Sequence, residues 1–95
     1  MAILRFTPAA LGDLERLAAF LRQTDPAAAV ETIPPILDGL KVLATHPFIG
    51  RPVEADRREL LIFRGRTGYL AQYSVRLAAD EVVVLAIRHQ REVDG

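Results

Sequence analysis

Apolar residues in the first half of the chain form one short run and then recur at the spacing of a helix. A short apolar stretch, residues 3 to 6, predicts a strand, and Thr7-Pro8 then stops it. Threonine caps the free amides of a helix and proline fits the first helical position, so this pair predicts a helix start. Apolar residues at spacings of three and four define one face of this segment: Ala10, Leu11, Leu14, Leu17, Ala18 and Leu21. The charged residues Asp13, Glu15, Arg16 and Arg22 take the other face. The pattern predicts an amphipathic helix of about four turns.

A second helix is predicted from Asp25-Pro26, which repeats the capping signal. Pro34-Pro35 interrupts its pattern, because proline removes a backbone hydrogen bond and disfavours helical angles at the residue before it. The apolar spacing resumes in register over residues 36 to 44. We therefore expect one helix, kinked at the two prolines and reaching about Thr45, with a complete break as the alternative. The next segment, Gly50-Arg51-Pro52, predicts an irregular loop.

The period changes to two in the second half. Residues 60 to 63 are apolar throughout, which is typical of a strand covered on both faces, and residues 69 to 77 alternate as in a strand with one wet face. Val82 to Ile87 is continuously apolar and predicts the central strand. The connections are short enough for hairpins. The whole chain, 1–95, predicts a single α+β domain: an N-terminal strand, a two-helix hairpin, then a three-stranded antiparallel meander, with the helices packed on the sheet.

The composition of the chain argues against several classes of protein. The chain has 12 basic and 12 acidic residues, which argues against a general binder of polyelectrolytes. It has no cysteine and only two histidines far apart, so we expect no disulfide, no metal site and no cofactor. No stretch approaches the twenty or so apolar residues of a membrane span, and the apolar segment at the amino terminus is too short for a signal peptide. A soluble cytoplasmic protein is expected.

Arginine is concentrated in the second half. Between Arg51 and Arg91 there are eight arginines and five acidic residues, and no lysine follows Lys41. Arginine suits bidentate contact with phosphate or carboxylate, but it is also the ordinary surface cation of GC-rich genomes. Both explanations stay open.

Two basic segments are candidate sites. The last strand ends in Arg88, His89 and Arg91, and the loop RGRTG carries Arg64 and Arg66. His89 is a candidate acid or base, because histidine is the side chain best suited to exchange protons near neutral pH, although one histidine without a visible partner also fits a structural role. The loop fits either a backbone nest for phosphate or a solvated hairpin turn.

Other polar and aromatic residues have structural interpretations. Tyr69 and Tyr73 lie on the apolar side of their strand, which predicts core packing with each hydroxyl bonded to a backbone acceptor. Arg57-Arg58 is interpreted as protection of a strand edge. His46 is expected at a helix end, where a cation is favourable.

The order of elements and the residues within them resemble one family. The segments are FTPAALGDL, DPAAA, HPFIGR, RELLIF, GYLAQYSV and VVVLAIRHQRE. Together they are similar to the RelE/ParE superfamily of toxins from bacterial type II toxin–antitoxin modules, and the resemblance covers nearly the whole chain. It implies a small cytoplasmic protein made with a cognate antitoxin, whose partly disordered segment wraps the toxin and blocks it.

The resemblance does not identify the cellular target, because members of the superfamily act on different targets. RelE-like members cut messenger RNA on the ribosome without metal, using basic and tyrosine side chains, whereas ParE-like members poison DNA gyrase and do no chemistry themselves. This chain differs from the RelE-type pattern, since it has no lysine in the meander and no aromatic residue after the last strand. We therefore expect a ParE-like gyrase inhibitor rather than an enzyme.

Under that expectation the target contacts come from five residues of the basic segments: Arg64, Arg66, Arg88, His89 and Arg91. The first alternative is a ribosome-dependent endoribonuclease that uses His89, Arg88 and Arg91 to activate the 2′-hydroxyl and stabilise the phosphorane. The second alternative is an interaction module without toxicity.

Overall fold

The part of the chain that the structure describes forms a five-stranded sheet with two helices packed on one face. The computed structural model describes residues 1–64 and 67–89, and for Phe63, Arg64 and Thr67 it describes the backbone alone. In chain order the elements are β1 (Ile3–Phe6), α1 (Pro8–Thr24), α2 (Pro26–Thr45), β2 (Arg51–Glu54), β3 (Arg57–Arg64), β4 (Thr67–Arg76), a 3-10 turn (Leu77–Ala79) and β5 (Glu81–His89). The strand order is β1-β5-β4-β3-β2. β1 runs parallel to β5 and the other pairs are antiparallel. The predicted α+β class is confirmed.

Both helices begin as their capping pairs predict. The Thr7 hydroxyl accepts a hydrogen bond from the Ala10 amide at 3.1 Å, and an Asp25 carboxylate oxygen accepts one from the Ala28 amide at 3.2 Å. Proline follows each cap at the first helical position. The Asp25 amide also donates to the Leu21 carbonyl at 2.7 Å, so one residue closes α1 and opens α2. Local chemistry therefore sets the helical hairpin.

α2 continues through Pro34 and Pro35 to Thr45. The alternative of a break at the prolines is therefore wrong, while the expected kink stays a prediction. The helix carries buried residues on both sides of the proline pair: Ala29, Thr32, Ile36, Leu40 and Leu43. Because side chains are buried on both sides of the prolines, tertiary burial offsets the hydrogen bonds that the prolines cannot donate.

The sheet departs from the predicted meander at Arg51. The irregular loop expected at Gly50-Arg51-Pro52 is wrong from Arg51 onward, because Arg51–Glu54 pairs with β3 and extends the meander to four strands. Pro52 is tolerated because β2 is an edge strand, where a missing amide need not break a ladder. The register shifts between Pro52 and Glu54, as at a β-bulge.

Two further expectations about the strands are wrong. β4, not β5, lies in the middle of the sheet; β5 is internal because β1 joins its outer side. β3 is not covered on both faces, since Leu61 is exposed on the face without helices. Its continuous apolar run therefore reflects one buried face and one exposed face, which periodicity alone does not separate from full burial.

The core lies between α2 and the middle of the sheet. Its largest fully buried side chains are Tyr73, Ile36, Leu40, Leu43, Val82 and Val84. α2 comes close to β3 at Gly39, where an added Cβ would lie 3.3 Å from three carbon atoms of Ile62. Tyr69 and Tyr73 are buried, as predicted. The Tyr73 hydroxyl bonds to the backbone, but it accepts from the Gly50 amide, so the expected carbonyl partner is replaced by a donor.

Candidate functional site

A cleft of about 630 Å³ separates the second half of α1 from the ends of β4 and β5. Its floor is apolar and is formed by five residues: Leu17, Phe20, Leu21, Tyr69 and Ile87. Polar residues lie around it: Asp13, Arg16, Arg88 and His89. Phe20 is 54% exposed, although it is a large apolar side chain. An apolar floor with polar and charged residues around it is suited to an amphipathic segment of another protein.

The position of α1 against β5 depends on an irregularity in β5. Gln72 pairs with Ala86 and Tyr73 pairs with Val84, so Leu85 is an extra residue in the strand, as at a β-bulge. Its carbonyl accepts a hydrogen bond from the Thr7 hydroxyl at 3.1 Å. Thr7 thus caps α1 and anchors its start to β5 with a single side chain.

Asp13 makes the second connection between α1 and β5. One of its carboxylate oxygens accepts a hydrogen bond from the Ile87 amide at 2.9 Å, and the other forms an ion pair with Arg16, one turn further along the helix. The Asp13 side chain is 13% exposed, so this bond is largely shielded from water. Since Ile87 precedes Arg88 and His89, Asp13 holds the part of β5 that carries both basic residues.

His89 lies against Tyr69 at the inner end of the cleft. The two rings meet edge to face, with centroids 5.2 Å apart and planes at 86°. Burial raises the pKa of the Tyr69 hydroxyl above its ordinary value of 10.0. Tyr69 is therefore protonated at neutral pH and is a poor general base.

Arg88 and His89 leave β5 on opposite faces. In the register, Arg88 lies opposite Leu70 and His89 lies opposite Tyr69. Successive side chains of a strand alternate, so His89 is on the helix side and Arg88 on the open side of the sheet. The two residues share one end of the sheet, as expected, but only His89 shares a face with Tyr69.

The other predicted contact residues fall partly outside the described residues. Ile62, Tyr69 and His89 lie side by side on the neighbouring strands β3, β4 and β5. Arg64 ends β3 two residues after Ile62 and pairs with Thr67. The backbone of this hairpin therefore lies at the same end of the sheet as the end of β5. The Arg64 side chain and the residues Arg66 and Arg91 lie outside the described residues.

Two arginines have roles that differ from the predicted protection of a strand edge. β3 is an internal strand, so that interpretation is wrong. Arg58 donates hydrogen bonds to the carbonyls of Phe48, at 3.1 Å, and Gly50, at 2.7 Å. Its guanidinium carbon also lies 4.9 Å from the centroid of the Phe48 ring. Arg58 therefore holds the segment between α2 and β2, while Arg57 pairs with Glu54 at 3.7 Å.

Sequence reasoning missed Asp13, Arg16 and Phe20 as parts of the cleft. An exposed phenylalanine at the end of an otherwise amphipathic helix is the one signal that points to this surface. His46 caps the end of α2, as expected, and its amide donates to the Val42 carbonyl at 2.8 Å.

The described residues contain no group of three or more histidine, aspartate or glutamate side chains placed to hold a metal ion. Within residues 1–64 and 67–89, neither helix is long and apolar enough to cross a membrane.

Comparison with known proteins agrees with this architecture. Residues 4–94 match the family model for the ParE toxin of the type II toxin–antitoxin system parDE. The chain is 39% identical over 85 residues to a curated relative, Toxin RelE3 of Caulobacter vibrioides, covering 90% of each protein.

Two solved structures share the fold. A chain of the chromosomal ParDE toxin–antitoxin system from P. aeruginosa has a TM-score of 0.75 and 25% identity, covering 94% of this chain and 96% of that one. A chain of the intact E. coli RelBE toxin–antitoxin complex has a TM-score of 0.58 and 20% identity, covering 93% and 95%. With nearly its whole length matched, the chain belongs to the ParE toxin family of type II toxin–antitoxin systems.

Proposed function

We propose that the protein inhibits growth by acting on DNA gyrase, without chemistry of its own, and that a cognate antitoxin neutralises it. The observation that carries this proposal is the family match over residues 4–94, which is to the ParE branch of the superfamily. The structural similarity is also greater to the ParDE chain, at 0.75, than to the RelBE chain, at 0.58. Gyrase is a cytoplasmic target, so we place the protein in the cytoplasm.

The cleft supports a binding role more than a catalytic one. Metal-independent RNA cleavage needs a base for the 2′-hydroxyl, cations for the phosphorane and an acid for the leaving oxygen. In the described part of the cleft, His89 packs on a protonated tyrosine, and Arg88 leaves the strand on the other face. The His89 and Arg88 side chains therefore do not lie together where both could contact one phosphate. The apolar floor, by contrast, suits an amphipathic segment of the antitoxin.

The target-contact surface that we propose lies at the end of the sheet where β5 ends and β3 turns into β4. It comprises five residues: Arg64, Arg66, Arg88, His89 and Arg91. The backbone register supports this grouping for Arg64, Arg88 and His89. Arginines at a protein surface contact phosphates and carboxylates through two parallel hydrogen bonds, and both occur in a complex of gyrase with DNA.

A second function has one observation in its favour. The curated relative at 39% identity is called Toxin RelE3, and the RelE-like alternative is a ribosome-dependent endoribonuclease centred on His89. The non-toxic interaction module is the remaining alternative.

One experiment separates the three. The chain is expressed without antitoxin, and the purified protein is added to gyrase supercoiling and DNA cleavage reactions, while messenger RNA from the same cells is mapped for cut sites. Inhibited supercoiling or trapped cleavage complexes support the gyrase proposal. Codon-phased cuts in translated messages would support the nuclease instead. Normal growth with neither effect would leave the interaction module.

A further inference from the structure

The end of β5 extends beyond the end of β1. The parallel pairing of these two strands stops at Phe6 and Val84, whereas β5 continues to His89. On the opposite side, β4 pairs with β5 as far as Tyr69, which lies opposite His89. In the part of the chain that the structure describes, no strand therefore covers the outer side of β5 from Leu85 onward.

Two side chains beside this uncovered side take the place of a strand. The Thr7 hydroxyl donates a hydrogen bond to the Leu85 carbonyl at 3.1 Å, and an Asp13 carboxylate oxygen accepts one from the Ile87 amide at 2.9 Å. Thr7 caps α1 and Asp13 lies within it, so the helix holds β5 at two points. The second point lies immediately before the basic residues that end the strand.

The Asp13 carboxylate is not suited to direct contact with a target. Its side chain is only 13% exposed, and its two oxygens already bind the Ile87 amide and Arg16. A carboxylate also repels the phosphates and carboxylates that arginine binds. Any effect of Asp13 on target binding therefore passes through the backbone of β5.

Loss of this acceptor is expected to move the end of β5. A shielded amide without a partner costs free energy, so the strand shifts until the Ile87 amide reaches water. Arg88 and His89 leave the strand on opposite faces, so one rotation of its end displaces both side chains. Hydrogen bonds from arginine depend on direction as well as on distance. The orientation of this short segment therefore controls how well the two basic residues fit a target.

We propose that Asp13 is a positioning residue for target inhibition: its bond to the Ile87 amide fixes the end of β5 in the orientation in which Arg88 and His89 contact gyrase. This inference rests on the proposed function, because it gives Asp13 an effect on the target-contact surface. The bond itself, rather than the stability that it adds to the fold, determines inhibition.

Inhibition of gyrase supercoiling by the purified full-length variants tests the inference. Asp13→Ala removes the acceptor of the Ile87 amide, whereas Asp13→Asn keeps an acceptor oxygen and loses only the charge. Arg58→Ala is the control with a comparable loss of stability, because Arg58 also donates two hydrogen bonds to the backbone but holds the segment between α2 and β2. All toxin concentrations are corrected for the folded fraction of each variant.

The three variants have different expected results. Asp13→Ala is expected to raise the concentration for half-maximal inhibition about tenfold, whereas Asp13→Asn stays within about threefold of the wild type and Arg58→Ala within about twofold.

NMR chemical shifts give a readout that a general loss of stability does not change. In Asp13→Ala the backbone amides of Ile87, Arg88 and His89 are expected to shift, while the amides of β2 keep their wild-type positions. In Arg58→Ala the β2 amides are expected to shift and those at the end of β5 to stay in place.

Failure of the inference and failure of the proposed function give different results. If the wild type inhibits gyrase and Asp13→Ala inhibits equally well, or Arg58→Ala loses as much inhibition as Asp13→Ala, the inference is wrong while the proposed function stands. If Asp13→Asn loses as much as Asp13→Ala, the charge rather than the bond to Ile87 matters, and the inference is again wrong. A wild type that does not inhibit gyrase overturns the proposed function and the inference with it.

Discussion

The Tyr73 hydroxyl accepts a hydrogen bond from the Gly50 amide at 2.9 Å, and both groups are buried. This bond joins the middle strand of the sheet to the segment that leads into β2. Arg58 contacts the same segment by donating to the Gly50 carbonyl at 2.7 Å. Both backbone groups of Gly50 are therefore satisfied by side chains, which explains how a glycine between a helix end and an edge strand can be buried.

Gly50→Ala is expected to destabilise the protein by about 2 to 3 kcal/mol. An added Cβ would lie 2.6 Å from both the Glu59 carbonyl oxygen and the Tyr73 hydroxyl, so the bond between Gly50 and Tyr73 must break or the strand must move. The free energy of unfolding is measured by denaturant titration. Gly12→Ala is the control, since its Cβ would meet only Arg16 at 3.6 Å inside α1. That variant is expected to gain about 0.5 to 1 kcal/mol, and equal losses in both variants would contradict the steric explanation.

Arg58→Ala is expected to lower the free energy of unfolding by about 1 to 3 kcal/mol. The change removes two hydrogen bonds to carbonyls and the contact with the Phe48 ring. Arg57→Ala is the matched control in the preceding position, because its ion pair with Glu54 is long and exposed. It is expected to change the free energy by no more than about 0.5 kcal/mol. A loss that is similar for the two arginines would show that Arg58 does not hold this segment.

Stability is expected to fall above pH 10 because of the two tyrosines. Burial raises the pKa of Tyr69, and burial also raises that of Tyr73 against smaller lowering effects of the Gly50 amide and Arg58. Above pH 10.0 the unfolded chain releases tyrosine protons that the folded chain retains, so it binds fewer protons. The stability that comes from these raised tyrosine pKa values is complete below the pKa of the unfolded chain. It is lost as the pH rises through the pKa of the folded protein.

Tyr69→Phe tests that pH dependence by comparison with the wild type. Unfolding is measured at several values between pH 8 and pH 11. The alkaline decrease in stability is expected to be shallower in Tyr69→Phe than in the parent. An identical slope would mean that Tyr69 ionises as easily in the folded protein as in the unfolded chain.

Asp13→Ala is expected to destabilise the protein by about 1 to 3 kcal/mol, because it leaves the Ile87 amide without its acceptor in a largely shielded position. Asp13→Asn keeps an acceptor oxygen and is expected to recover most of that loss. The control is Asp38→Ala, whose carboxylate is 76% exposed and lies 3.9 Å from Lys41. Unfolding free energies of the three variants are compared, and an Asp38→Ala loss as large as that of Asp13→Ala would argue against a special role for the bond to Ile87.

The elements that sequence reasoning predicted are those with local causes. The end of β1 and the starts of α1 and α2 follow from Thr7-Pro8 and Asp25-Pro26, whose capping bonds span three residues. β2 was missed because it has no apolar alternation; it exists through its pairing with β3. The role of Asp13 was equally hidden, since Asp13 and Ile87 are 74 residues apart in sequence. Nothing in the pattern around Asp13 distinguishes it from a solvated helix residue.

The target-contact surface has a direct mutational test. Arg64→Ala combined with Arg66→Ala is expected to relieve growth inhibition and to raise the concentration needed to inhibit gyrase about 30-fold or more, because charged contacts at an interface are lost. Antitoxin binding is expected to be unchanged. The control is Arg57→Ala combined with Arg76→Ala, two exposed arginines at the opposite end of the sheet.

The same assay separates the two target classes through His89. In the gyrase proposal His89 is a contact residue beside Tyr69, so His89→Ala is expected to keep substantial toxicity and to produce no change in messenger RNA integrity. In the endoribonuclease alternative His89 is the acid or base, and its removal lowers the cleavage rate by about 100-fold or more. Full toxicity of the Arg64 and Arg66 double variant, together with loss of toxicity in His89→Ala, would overturn the gyrase proposal in favour of the nuclease.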